Sequence, residues 1–270
     1  MDPNKIISLK HYDEIVKKYN FRSSYSNNYM LREEVRDLIS NGSLNVFSTG
    51  YNLFFIIQKP KCFRLYYYLN DLSELMFFDK ENLVTEILYR GDDFYPEVEV
   101  DFFLKCGFSK NLIRDQYSGV YKNLTIARDY DSISVKIATT MEEIKYACEL
   151  FNNSFDPFSG DFILESKYET LQDNGDIVVA TLDNQLIGAL HQTLKNNVAW
   201  ISHVAVDEYA RGRHVGQALV DFYVTRNMSS EKSRYMFWVQ RQNMPAINMY
   251  QKKGFKYINK STISLLKINK

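Results

Sequence analysis

The sequence predicts a mixed α/β protein built from two similar halves, each a central, mostly antiparallel sheet flanked by helices. Three observations lead there. In the second half, apolar runs alternate between period 2 and period 3.6 in the order β-α-α-β-β-β-α-β-α-β. In the first half, NLFFIIQ and CFRLYYYL flank Lys59-Pro60-Lys61, as two antiparallel strands around a turn would. Near the end of each half stands a related heptapeptide, FFLKCGF at residues 102–108 and MYQKKGF at residues 249–255.

Taken in order, helical spacing around Tyr12–Tyr19 and Leu31–Ser40 comes first, then the aromatic hairpin. Helices are predicted near Asn82–Tyr89 and Val98–Lys105, the second closed by Gly107. The polar RDYDS follows without a Pro/Gly/Ser-rich linker, which divides the chain into domains 1–128 and 131–270. Strand ISVKIAT then leads to Thr140, an N-cap with Glu143 three residues on. A short helix precedes strands DIVVATL, QLIGALHQTL and VAWISHVAV, joined by turns at Asp183-Asn184 and Asn196-Asn197. A helix over Gly212–Asn227, strand RYMFWVQ, helix NMPAINMYQKK stopped by Gly254, and a final strand complete the chain.

Composition narrows the function classes. At 270 residues there is room for two domains of about 130 each. With 45% hydrophobic residues a packed core is expected and disorder is not. Acidic and basic side chains number 33 each, so no basic excess exists to neutralise a nucleic acid. Cys62, Cys106 and Cys148 are scattered and form no C-x-x-C, so no metal and no disulfide framework is expected. No basic-then-apolar leader is visible, and apolar runs such as Leu53–Ile57 fall far short of the ~20 residues a membrane helix needs. The expectation is a cytoplasmic protein with no membrane partner, monomeric or homodimeric.

The segment SHVAVDEYARGRHVGQALVDFYV carries the chemistry. A buried strand runs through a short acidic loop into Arg211-Gly212-Arg213-His214-Val215-Gly216 and an amphipathic helix. Unpaired amides of the first helical turn and the helix dipole favour an anion, Gly212 and Gly216 admit it closely, and the two arginines add charge. A pyrophosphate suits such a cradle.

Together with FWVQRQNMPAINMYQKKGF downstream, this stretch resembles the GNAT superfamily of acyl-CoA-dependent N-acetyltransferases. That family shows a strand ending V-A-V, a [QR]-x-x-G-x-[GA] loop and a helix, then a strand, an Asn and a helix with a Tyr before Gly-Phe. Asn243, Ala246, Tyr250, Gly254 and Phe255 stand at the matching places, and the resemblance covers Ile133 to Ile268. It implies acetyl-CoA as co-substrate and an amine on a small molecule, peptide or protein as acceptor, joined by direct attack in a ternary complex. Backbone groups of Val204, Ala205 and Val206 would pair with the pantetheine arm, and the amides of Arg211 through Gln217 would hold the pyrophosphate. Asn243 would touch the pantetheine or cap its helix, and Tyr250 would protonate the leaving thiolate. One position departs from the pattern: His214 stands where the family has Gly, and the cradle survives if that residue keeps a negative φ.

The base stays open. Strict alternation puts Trp200, Ser202 and Val204 on one face and Ile201, His203 and Ala205 on the other. The resemblance places the usual base positions at Trp200 and Ser202, where Ser202 could order a water. His203 has an imidazole of ordinary pKa ~6.5 but faces away, and His191 is a further candidate. Aligning the two heptapeptides pairs Phe103 with Tyr250, and no loop of the first half before Phe108 repeats the Arg-Gly-x-x-x-Gly cradle of Arg211–Gly216. The first half therefore resembles a degenerate GNAT domain that shapes or covers the substrate cleft. Two other functions compete: a non-catalytic acyl-CoA-binding regulator, and an aminoacyl transferase using charged tRNA, which conflicts with the neutral charge.

Overall fold

A computed structural model describes residues 4–22, 24–76, 82–127, 130, 132–158, 162–195 and 198–268. The expected turn at Asn196-Asn197, the division residues 128 and 131, and residues 159–161 of the loop after Phe151 lie outside them. Contacts divide the chain into unit 1, comprising Met1–Ile113, Phe158–Gly160 and Ser261–Lys270, and unit 2, comprising Arg114–Pro157 and Asp161–Lys260. The chain thus passes from one unit to the other inside strands rather than at a linker.

Unit 1 contains β1 (Asn4–Lys5), α1 (Leu9–Tyr19), β2 (Tyr25–Ser26), α2 (Arg32–Ser40), β3 (Leu44–Ser48), β4 (Leu53–Gln58), β5 (Phe63–Leu69), β6 (Leu83–Tyr89), α3 (Glu97–Lys105) and the start of β7 (Ser109–Val120). Its sheet runs β1-β3-β4-β5-β6, antiparallel except for the parallel step from β5 to β6, with β2 on β5. The expected hairpin is β4–β5. The helix expected at Asn82–Tyr89 is instead strand β6. Its Leu83, Val84, Thr85, Ile87 and Tyr89 are all buried, so both faces are covered and the period-2 signal vanishes. A short run whose apolar residues fall at both parities cannot be told from a helix by periodicity alone.

Unit 2 contains the rest of β7, then β8 (Ile133–Ile137), α4 (Met141–Ser154), α5 (Tyr168–Asn174), β9 (Ile177–Leu182), β10 (Gln185–Lys195), β11 (Val198–Val206), α6 (Val215–Arg226), β12 (Arg234–Gln240), α7 (Met244–Lys252) and the start of β13 (Lys256–Lys267). The element order matches the expected one. Thr140 and Glu143 form a reciprocal capping box at α4. Asp183 and Asn184 both take positive φ, as a two-residue hairpin turn between right-twisted strands requires. The sheet runs β8-β9-β10-β11-β12-β7, with β11 and β12 parallel and every other pair antiparallel. Helices α4 and α5 cover one face through Phe151, Cys148 and Leu171; α6 and α7 cover the other through Leu219, Tyr223, Ile247 and Tyr250.

Both halves share one progression: antiparallel strands, one parallel step, a helix and a long strand. That strand is β7 in the first half and β13 in the second, and each fills a place in the sheet built mainly by the other half of the sequence. Arg114–Val120 of β7 pairs with β12, where Tyr117 stacks on Phe237 at 5.8 Å. Ser261–Lys267 of β13 pairs with β6. The Gly-Phe after α7 has a steric cause. Gly254 has φ +94°, and a Cβ there would sit 2.4 Å from the Asn123 carbonyl oxygen.

Candidate active site

Strands β11 and β12 pair only from Val198–Arg234 to Ile201–Phe237. Beyond that point the edge of β11 is without its neighbour, and a cavity of about 430 Å³ opens on the α6/α7 face. Its walls carry Val204 and Val206 from β11, Arg211, Gly212 and His214 from the loop, Val215, Gly216 and Gln217 from α6, and Asn243, Ala246 and Tyr250 from the last helix region. Of the residues expected from sequence to hold the cofactor, only Ala205 and Arg213 are absent from these walls. Ala205 packs instead with the α4 cluster. Pro245, Met249 and Ala210 also line the cavity. Sequence reasoning passed over them because apolar wall residues carry no motif of their own.

The loop and helix start expected to form the cradle are present, with one correction. His214 does not keep a negative φ; it is left-handed at φ 63°, ψ 12°, as the N-cap of α6. The Gly-like turn is therefore kept by a residue that bears a Cβ, at a cost of about 1 kcal/mol. Its exposed ring lies 3.1 Å from Gln217 Oε1 through Nδ1. Gly212, at φ +80°, has open space around it. Arg211 rests on Glu208 at 3.2 Å at the surface. Asp207, which begins this loop, accepts a hydrogen bond from Tyr146 of α4.

Two ties set the helices that flank the cavity. Asn243 caps α7, its Oδ1 accepting from the Ala246 amide at 3.2 Å, so the capping role is the one in place. Asp221 of α6 is buried and pairs with Lys253 at the end of α7, with the Tyr130 hydroxyl and the Ala127 amide also donating to it. Removing one partner of a buried pair typically costs about 3–5 kcal/mol. Tyr250 is 6% exposed, with its ring 4.0 Å from that of Phe237. Burial pushes its phenol well above the ordinary tyrosine value, so it holds its proton at neutral pH.

The strand parity expected for β11 is overturned. His191 pairs with His203 but Gln192 with Ile201, so Ser202 is an extra, bulged residue. Ala199 and Ile201 therefore share the cavity-side face with Val204 and Val206, while His203 and Ala205 face α4. Trp200 falls by alternation on the face of His203, and Ser202 is exposed. Neither Ser202 nor His203 lines the cavity.

Residues 144–255 match the model of the acetyltransferase (GNAT) family. The second half of this chain carries a GNAT domain. Streptothricin acetyltransferase from Escherichia coli is 28% identical to the chain over 108 residues, which is 40% of this chain and 60% of that protein. The chain thus spans 60% of the length of this curated relative. Among solved structures, a GCN5-related N-acetyltransferase from Kribbella flavida superposes with TM-score 0.57 at 12% identity over 84% of this chain and 91% of its own. An acetyltransferase of the GNAT family from Colwellia psychrerythraea gives 0.54 at 14% identity over the whole of both chains, 100% each. A tandem GNAT protein from the clavulanic acid biosynthesis pathway gives 0.54 at 11% identity over 96% and 87%. At these identities the structures speak for the GNAT fold. Among the described residues no group of His, Cys, Asp or Glu is arranged to hold a metal, and no helix is long and apolar enough to cross a membrane.

The GNAT cavity has room for a larger residue at one decisive point. Among the described residues, a Cβ on Gly216 would meet only Met249 Sδ at 3.7 Å and Val206 Cγ2 at 3.8 Å, both on the cavity wall. Gly216→Val should therefore fold, with stability changed by no more than about 1 kcal/mol. Its branched side chain would occupy the cavity, and acetyl-CoA affinity should fall roughly tenfold or more, about 1.4 kcal/mol. Thermal melting beside calorimetric titration separates the two effects. Unchanged affinity would show that the ligand lies elsewhere.

In unit 1 the aligned positions carry other side chains. Alignment of α3 on α7 sets Phe103 against Tyr250 and Glu99 against Ala246. The Tyr67 hydroxyl donates to Glu99 Oε1 at 2.6 Å, and the Tyr67 ring lies 4.9 Å from Phe103. Burial raises the Glu99 carboxyl above its usual range.

Proposed function

We propose that the protein transfers an acetyl group from acetyl-CoA to a primary amine by direct attack in a ternary complex. The observation that carries this is the meeting of three things on one cavity: the α6 N-terminus, the unpaired edge of β11 and the Tyr250 ring. The amides of residues 211–217 would take the pyrophosphate, and Val204–Val206 would pair with the pantetheine arm as an added strand. Acetyl-CoA supplies an activated acyl carbon. The protein's own work is to bind it, orient the amine and give the Tyr250 hydroxyl proton to sulfur. The relative named for streptothricin makes small amine-bearing molecules the first acceptors to try. A non-catalytic acyl-CoA-binding role is favoured by one observation, that among the described residues no Asp or Glu lines the cavity.

The first half, on this reading, is a degenerate GNAT domain whose cleft is closed by Tyr67 and Glu99. Calorimetric titration with acetyl-CoA should accordingly give one site per chain. Thiol release with a panel of primary amines, read beside mass spectrometry of the products, tests transfer. Two equivalent sites would refute the closed cleft; binding without any acetylated product would favour the non-catalytic role.

A further inference from the structure

On the α4 face of unit 2, His191 of β10 and His203 of β11 are direct cross-strand partners. Their rings are nearly parallel, with centroids 5.5 Å apart at 9°, and their Nδ1 atoms are 3.2 Å apart. Phe151 stacks on His203 at 5.2 Å and Phe155 closes over it at 5.0 Å. His203 is 6% exposed and His191 half-buried. An Nδ1-to-Nδ1 hydrogen bond needs a hydrogen on one nitrogen and a lone pair on the other. One further proton can enter at the Nε2 of the ring that donates, and the shared bond then becomes charge-assisted. A second would force two N–H groups against each other. Between themselves the two rings can share one added proton.

Its place in the fold gives that capacity a use. His203 immediately precedes Val204, which lines the cavity from the opposite face. Both lie just past Ile201, the last residue of β11 paired with β12, and the Ser202 bulge turns the strand between them. Facing the pair from α4 are the Phe rings and, one turn earlier, Cys148, whose thiol is pushed up to about 12 by burial and is neutral. From β9 the neighbour of His191 is Ile177. Trp200 shares the face within β11; along the chain, Asp156 directly follows Phe155 and Asp207 follows His203 by four residues.

We propose that His191 and His203 act together as the proton acceptor for the incoming amine, with His191 positioning His203 through the Nδ1 bond. This rests on the acetyl-transfer reading above. One N–H proton leaves the acceptor ammonium, directly or through a water, for the lone pair of an imidazole nitrogen. The electron pair left on nitrogen forms the N–C bond, the C–S bond breaks, and sulfur takes the Tyr250 proton. The phenolate recovers the second amine proton, and the imidazole pair returns its own to solvent. Nothing is oxidised or reduced.

Ring-nitrogen NMR of the full chain tests the pair without any acceptor. His191 and His203 should move together through one transition that adds a single proton, and His191→Phe should abolish the joint behaviour. Two independent transitions, each ending in an imidazolium, would overturn the proposal. The second arm is the pH profile of kcat/KM with acetyl-CoA and any amine the wild type acetylates. His191→Phe keeps the ring stack but loses the hydrogen bond, so kcat/KM should fall at least about tenfold at neutral pH and its acid limb should move to lower pH. His191→Asn, which returns a hydrogen-bonding group near Nδ1, should recover much of the loss. A wild type that acetylates amines but whose profile is unmoved by His191→Phe overturns the proton-accepting role alone. A wild type that acetylates no amine overturns acetyl transfer and this role with it.

Discussion

Expressed alone, residues 131–270 should fail to form a cooperatively folded domain. The sheet of unit 2 ends on Arg114–Val120, which lies outside that fragment and pairs with β12 along its whole length. Without it, Phe237 loses its stacking partner Tyr117, and β12 becomes an exposed, largely apolar edge. Arg241 also loses Asp115, which it grips at 2.7 and 2.9 Å. At the other end Ser261–Lys267, whose Ile263 and Leu265 belong to the core of unit 1, has no strand to join. The expected result is aggregation, or a soluble species without a sharp thermal transition. A fragment of residues 109–270 restores β7 and should regain part of the transition. Circular dichroism melts and gel filtration of both fragments decide the matter; a monomeric, sharply melting 131–270 would refute it.

Tyr250→Phe should lower kcat about 10²-fold while leaving acetyl-CoA affinity nearly unchanged. The Phe ring fills the same space against Phe237 and Phe255, so α7 and the cavity wall keep their shape. What disappears is one O–H, needed only as negative charge develops on sulfur. An interaction confined to the transition state changes turnover and not ground-state binding. The lower end of the usual range for acid catalysis is expected because a thiolate leaves readily. The first half already has Phe103 at the aligned position, 0% exposed. Steady-state kinetics beside calorimetry, for both forms, measures the effect. Full turnover in the variant would make Tyr250 a packing residue only.

The second half was legible because its signals are local. Thr140 with Glu143, Asp183-Asn184, the Arg211–Gly216 loop and Gly254-Phe255 each owe their role to neighbours within a few residues, and each sits in the element expected. Four features were not legible. Strand β6 lost its alternation through burial on both faces. The Ser202 bulge shifts one register by one residue and so exchanges the faces of everything before it, moving Trp200 to the side of His203. No local pattern reports either, because both depend on which strand lies alongside. His214 is the third: a residue with a Cβ in a left-handed turn goes against its own preference, and only the surrounding loop holds it there. The partners of β7 and β13 were hidden for the same reason as the bulge. A strand's sequence sets which face is apolar, not which distant strand it meets.

The crossing of β7 and β13 also sets an order in time. During synthesis, most of the first half emerges well before its sheet can be finished, because the strand beside β6 is Ser261–Lys267. Ribosomes add about 5–20 residues per second, so the open edge of β6 waits on the order of ten seconds for a partner still being made. A chain that usually would fold its leading part first must here hold that part incomplete until its last strand arrives. Until that strand arrives, the open β6 edge is where the nascent chain is exposed to mispairing.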